Sequence, residues 1–297
     1  MKPLQILFVL SLFCTITAAR SEDWVLEPLG SFEFHSDLPA LGGLSAIKIG
    51  EFGKSFLTIS DRGQYFEGNI LRNERGSIIN MQILKSGPLL DSEGNDLTGR
   101  NTDSESITTA KPKGFYISYE SNHRIMFHRN LREHGSFLPK HKDFKQFKSN
   151  KGLEAIATNS KGVLYAIPEE PLRGDSDFPI YSLQNEKWSL LARFPQSNSF
   201  LVTDAVFLPN NDLLILERDY SWAVGFKMQL RVLNLVKNTI TGQTVLLSIN
   251  SGLHNHEGLS IWQDDSDNFF ITSISDNNFL PYIASEIKEF RLKKLVN

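Results

Sequence analysis

The sequence predicts an all-β chain folded as a β-propeller of four-stranded blades. Three observations lead there. A phrase made of an acid, a short apolar run, a turn and a second apolar run ending on an acid is stated five times. It returns at intervals near those of propeller repeats. No stretch carries a long amphipathic helical period.

The clearest copy is Glu257-Gly258-Leu259-Ser260-Ile261-Trp262, an Asp-rich turn, and Phe269 to Asp276. The others open at Glu105, Glu154 and Asp204, and the first, from Gly42 to Asp61, lacks the leading acid. The aligned first positions Gly42, Glu105, Glu154, Asp204 and Glu257 stand 63, 49, 50 and 53 residues apart. Five blades are expected, although the long first unit has room for a sixth. A β-sandwich with long loops would also use short strands, but it gives the repeated acids no purpose.

Taken in order, Trp24–Phe34 alternates as a strand. After the first phrase come two strand-like runs, Tyr65–Leu71 and Ile78–Ile83, split by the turn Asn73-Glu74-Arg75-Gly76. A polar loop from Leu89 to Asp103 leads to the second phrase, which is followed by the run Arg124–Phe127. The basic stretch His134–Lys151 is expected to be a solvated loop or edge rather than a binding patch. Tyr181–Leu183 and Trp188–Phe194 complete the third unit, and Lys227–Leu233 and Thr244–Ser248 the fourth. The fifth ends in Ile287–Leu292 and is one strand short, so the N-terminal strand is expected to fill it and close the ring.

The chain has 297 residues, 40% of them hydrophobic and 22% charged, with a net charge of −3. Lys and Arg form no basic stripe, so no nucleic-acid partner is expected. Met1-Lys2, the apolar run from Leu4 to Thr17 and Thr17-Ala18-Ala19 read as a signal peptide over residues 1–19, cut after Ala19. An uncleaved anchor is the alternative, but the run is short for a bilayer, which needs roughly 20 residues. No later stretch spans a membrane, and residues 20–297 form a single domain, expected to be monomeric. Cleavage removes Cys14, the only cysteine. The mature chain is therefore expected in the periplasm or secreted, without disulfides, and a bacterial periplasm fits somewhat better.

If each phrase opens the inner strand of a blade, Glu105, Glu154, Asp204 and Glu257 converge on one axial mouth. The second run is antiparallel to the first, so Asp61, Glu120, Glu169, Glu217 and Asp276 return to the same mouth as a second ring. Carboxylates this close either take up protons or hold a cation. Oxygen ligands suit Ca²⁺, with Mg²⁺ or another divalent ion as alternatives. Each acid singly could equally cap a turn. Arg62 and Arg218, each beside one of these acids, could hold a phosphate or carboxylate bidentately, or merely pair with their neighbours. His254 and His256 precede Glu257, and His256 could donate a proton to a leaving group. Tyr119, Asn122, His123 and Asn277 are rim candidates. No Gly-x-Ser-x-Gly elbow, phosphate-cradling glycine loop, dinucleotide fingerprint or His-Glu-x-x-His is present.

Gly43-Leu44-Ser45-Ala46 with Ser60-Asp61-Arg62-Gly63, Glu105-Ser106-Ile107, Gly152-Leu153-Glu154-Ala155 and His256-Glu257-Gly258-Leu259 together resemble the phytase-like family, also called "esterase-like activity of phytase". The likeness runs from about Leu41 to Asp276. It implies a β-propeller, an exported and largely bacterial setting, and hydrolysis of phosphate or other esters. β-Propeller phytases use acid-bound calcium with basic residues that hold phosphate, and calcium-activated nucleotidases are a more distant likeness. The expected substrate is thus a small-molecule ester or phosphoester. The alternative is a non-catalytic propeller that binds a ligand or partner at the same mouth, with calcium for stability; a lactonase or sugar-handling propeller is a third reading.

Overall fold

Runs of β-branched and aromatic residues, broken by Gly, Asn and Asp turns, form five four-stranded antiparallel sheets in a computed structural model. The structure describes residues 24–35, 37–280 and 282–295, so the expected signal peptide lies outside the described residues. Among the described residues, no helix is long and apolar enough to cross a membrane.

Blade one is β2 (Leu44–Ile49), β3 (Ser55–Ser60), β4 (Gln64–Arg72) and β5 (Ile78–Pro88). Blade two is β6 (Ser104–Thr109), β7 (Phe115–Tyr119), β8 (Arg124–His128) and the two-residue β9 (Ser136–Phe137). Blade three is β10 (Ala155–Thr158), β11 (Leu164–Ile167), β12 (Asp177–Gln184) and β13 (Lys187–Pro195). Blade four is β14 (Leu201–Phe207), β15 (Leu213–Ser221), β16 (Gly225–Val236) and β17 (Thr239–Gly252). Blade five is β18 (Asn255–Gln263), β19 (Phe269–Asp276), β20 (Ser285–Lys294) and, on its outer edge, β1 (Trp24–Phe34). Trp24 stands opposite Lys294 and Phe34 opposite Ser285, so the N-terminal strand closes the ring as expected. The long first unit holds no sixth blade; its spare length is the loop to β6, with one short helical turn at Gly99–Asn101.

The inner strands β2, β6, β10, β14 and β18 pack side by side around the axis. Small residues make that approach possible. A Cβ on Gly258 would lie 2.7 Å from Ala46 Cα, so β18 meets β2 only because the position is glycine. Serine hydroxyls bond across blade boundaries: Ser45 Oγ donates to Ser104 O at 2.6 Å, and Ser260 Oγ accepts from Ile49 N at 2.9 Å. Between blades four and five, Leu216, Leu230, Leu259 and Ile271 are buried together. Each such side chain contributes about 1.5–3 kcal/mol when fully removed from water.

The basic stretch 134–151 differs from a solvated loop. After β9 it forms a short helical turn at Lys142–Gln146, and Phe144 is buried against Tyr181 and Trp188, with ring centroids 5.5 Å away in both cases. Trp188 Nε1 donates to Pro139 O at 2.6 Å. The segment caps a blade face because its aromatics outweigh its charges.

Candidate functional site

Each inner strand begins, and each second strand ends, at the same mouth of the central channel. The register there is repeatedly broken: shifts occur at Leu44/Ala46, Ser104/Ile107, Val202/Asp204 and His256/Gly258. A bulge adds a residue without a partner and re-aims side chains, which is why such irregularities gather at sites. Gly258, Ala155, Ala46 and Asp204 pair with Ile274, Ile167, Ile59 and Leu216. The residues just before them are Glu257, Glu154, Ser45 and Thr203. Two past the partners stand Asp276, Glu169, Asp61 and Arg218. Blade two supplies Glu105 from its bulge and Glu120 from the end of β7.

The acids of blades two and three come closest. Carboxylate oxygens of Asp103, Glu105 and Glu120 lie within 4.8 Å of one another, as do those of Glu120, Glu154 and Glu169. Glu120 therefore belongs to both triads, and its Oε1 also accepts from Gly152 N at 3.1 Å. Glu169 is held by two cations, Arg218 Nη2 at 3.0 Å and Lys151 Nζ at 3.3 Å. Arg218 Nη2 also stands 3.8 Å from Glu257 Oε1, which accepts from Asn255 Nδ2 at 2.7 Å. Asp61 Oδ1 is buried without a hydrogen-bond partner among the described residues.

Burial and mutual repulsion raise the proton affinity of this group. Burial, then Asp276, pushes Asp61 up to about 7. Burial, eased by Arg218 and reinforced by Asp276, brings Glu257 to about 8. Glu105 and Glu154 are raised well above the usual range, first by burial and then by Glu257 and Glu105 respectively. Glu120 and Asp276 are raised mainly by burial. The mouth thus gathers more carboxyl groups than Arg62, Lys151 and Arg218 can neutralise.

Three sequence-predicted residues are not brought to this mouth. Asp204 stands one residue past the mouth position of blade four, so its side chain points into the channel below. There it accepts from Leu259 N and Ser106 Oγ, both at 2.7 Å, and from Ala205 N at 2.8 Å. Burial raises it to about 6, with Lys48 opposing. Glu217 likewise stands one residue before Arg218. It is buried within blade four, accepting from Arg231 Nε at 3.0 Å and Gln229 Nε2 at 2.9 Å of β16, with a second contact to Arg231 Nη2. His256 precedes Glu257 and faces the opposite way, fully buried between Ser273 Oγ at 2.8 Å and Glu286 Oε2 at 3.1 Å. Burial lowers its pKa, and no open face connects it to the mouth. Arg62 is at the rim, exposed, with its guanidinium 3.3 Å from the centroid of the Phe279 ring.

Asp103, Lys151 and Asn255 were not singled out from the sequence. Asp103 lies two residues before Glu105, the spacing that puts strand neighbours on one face, so a signal for it existed. Lys151 reaches Glu169 from the far end of the basic stretch, which no local pattern reveals.

Residues 39–279 match the family model described as "Phytase-like: Esterase-like activity of phytase". No curated protein matches the sequence. Among solved structures, the chain is similar to the PQQ-bound aldose sugar dehydrogenase of Streptomyces coelicolor, with TM-score 0.51, 9% identity and coverage of 92% of this chain and 99% of that one. It is also similar to an α-L-arabinofuranosidase of Podospora anserina in complex with cellotriose, with TM-score 0.54, 11% identity and coverage of 91% and 97%. At such identities the likeness is one of fold.

Proposed function

The chain belongs to the phytase-like family, and on that premise we propose that its acidic mouth is the site of an exported, calcium-dependent hydrolase of phosphate esters. One observation carries the reading: two carboxylate triads share Glu120 within 4.8 Å at a buried position. A cation relieves their repulsion without protonation. The donor set is all oxygen, as Ca²⁺ prefers, and the unpartnered Asp61 Oδ1 is a further ligand atom facing the same acids. Asp103, Glu105, Glu120, Glu154 and Glu169 would hold the ion, which when bound polarises an ester oxygen and lowers the pKa of water.

The chain's own groups divide the remaining work. Arg62 offers its N–H fork to phosphoryl oxygens and steadies the negative charge that grows on them. Arg218, already committed to Glu169 and Glu257, serves as a counter-ion. His256 is sealed away, so Glu257, which reaches the mouth beside Arg218 and Asn255, is the group placed to protonate a leaving oxygen.

The test is phosphate release from a panel of small phosphomonoesters with calcium or with chelator, beside the metal content of the purified protein. Release that survives both chelation and Glu120→Gln would sink the reading. A melting temperature that falls on chelation with no turnover of any ester would assign the mouth to ligand binding with structural calcium.

A further inference from the structure

Arg62 and Arg218 each follow an acid in the sequence, but of the two only Arg218 forms ion pairs with carboxylates among the described residues. The guanidinium N–H groups of Arg62 carry no hydrogen bond among the described residues, while one face of the guanidinium is stacked on Phe279. The loop that presents that ring is unusual. Leu280 N donates to Asn277 O at 2.9 Å, closing a turn whose central residues Asn278 and Phe279 have φ of 50° and 54°. Positive φ at both central positions is the pattern of a type I′ turn, which favours Gly, Asn and Asp. Asn278 suits it; a bulky aromatic does not.

Two contacts hold Phe279 there. Asn277 Oδ1 accepts from Phe279 N and from Gly43 N of blade one, each at 3.1 Å. The ring lies directly on Gly42 and Gly43: a Cβ on Gly43 would come within 2.3 Å of it, and one on Gly42 within 2.8 Å. Strain retained against such alternatives gathers at functional positions.

We propose that Phe279 is a positioning residue, which presents the free N–H fork of Arg62 to an oxyanion bound at the seam of blades five and one. The inference rests on the phosphoester reading, in which that oxyanion is the phosphoryl group. The stack leaves the donor edge open and reduces the side-chain freedom lost on binding. It also gives the glycine pair and Asn277 one shared purpose.

The experiment is titration of the calcium-saturated protein with orthophosphate by calorimetry, with the Arg62 Nε–Hε signal followed by NMR. Phe279→Gly should weaken phosphate about tenfold, the scale of a cation–π contact. Its melting temperature should hold or rise, because glycine accepts the positive φ. The ring-current shift of Arg62 should vanish with it. Phe279→Trp should restore both the shift and the affinity, and Arg62→Ala should weaken phosphate at least as much as Phe279→Gly. Phosphate binding by Phe279→Gly equal to wild type, or no phosphate binding by wild type, overturns the proposal. Turnover is not measured, so a protein that binds orthophosphate this way and hydrolyses nothing loses the hydrolase reading and keeps this one.

Discussion

Blades two and three meet the mouth with carboxylates, Glu105 and Glu120 from one and Glu154 and Glu169 from the other. Blade four meets it with Thr203 and Arg218, and turns Asp204 and Glu217 inward. Both have an acid at the head of the inner strand and another near the end of the second. A displacement of one residue decides which face each acid serves, because side chains alternate along a strand. At the mouth the acids repel and could hold a cation. One residue away they are saturated with donors: Asp204 ties blade four to blades two and five, and Glu217 ties two strands of blade four to each other.

That contrast should appear most strongly in stability. Glu217→Ala leaves Arg231 buried without its partner and should cost about 3–5 kcal/mol in urea unfolding, with no change in calcium affinity. An unaltered unfolding midpoint would erase the distinction between the two kinds of acid.

Next comes pH. Without calcium, Glu257 and Asp61 keep protons in the fold up to about pH 8 and pH 7, which the unfolded chain has already released. The contribution of these two groups is therefore greatest at low pH and declines as pH rises, on the order of 5 kcal/mol between pH 5 and 8. Saturating calcium should flatten that decline. Melting curves across this window check it, and a metal-free protein that gains stability as pH rises contradicts it.

Smaller effects sharpen the comparison within the mouth. Glu154→Gln removes one ligand charge, so calorimetry should show calcium binding about tenfold weaker. The metal-free form should melt higher, because repulsion falls. Arg218→Gln does the reverse on a smaller scale. Removing a cation that is partly open to water should tighten calcium about two- to threefold and loosen the metal-free fold slightly.

Much of this was legible in the residues. The fifth unit was one strand short and Trp24–Phe34 was spare, so the closure of the ring could be counted. Glu105, Glu154 and Glu257 stand at one mouth, a placement legible because each directly precedes its apolar run. Blade four was misread by one position: Thr203-Asp204 and Glu217-Arg218 offer an acid and a neighbour, and the apolar pattern is equally good in either register. Only the pairing of Asp204 with Leu216 shows which residue faces the mouth. His256 was misplaced for the same reason, being adjacent to Glu257 and so on the opposite face. The Phe279 turn had no sequence signature, since an aromatic at positive φ is what turn preferences exclude.

The seam between β1 and β20 has a consequence for how the wheel is made. Among the described residues the first strand pairs with the last, from Trp24 opposite Lys294 to Phe34 opposite Ser285. Until β20 exists, β1 has no neighbour and blade five has an open flank. Folding must bring together the most distant parts of the polypeptide, a demand that slows formation. A nick or trim that frees either end would thus unlatch the full circle at one hinge, well away from the chemistry at the hub.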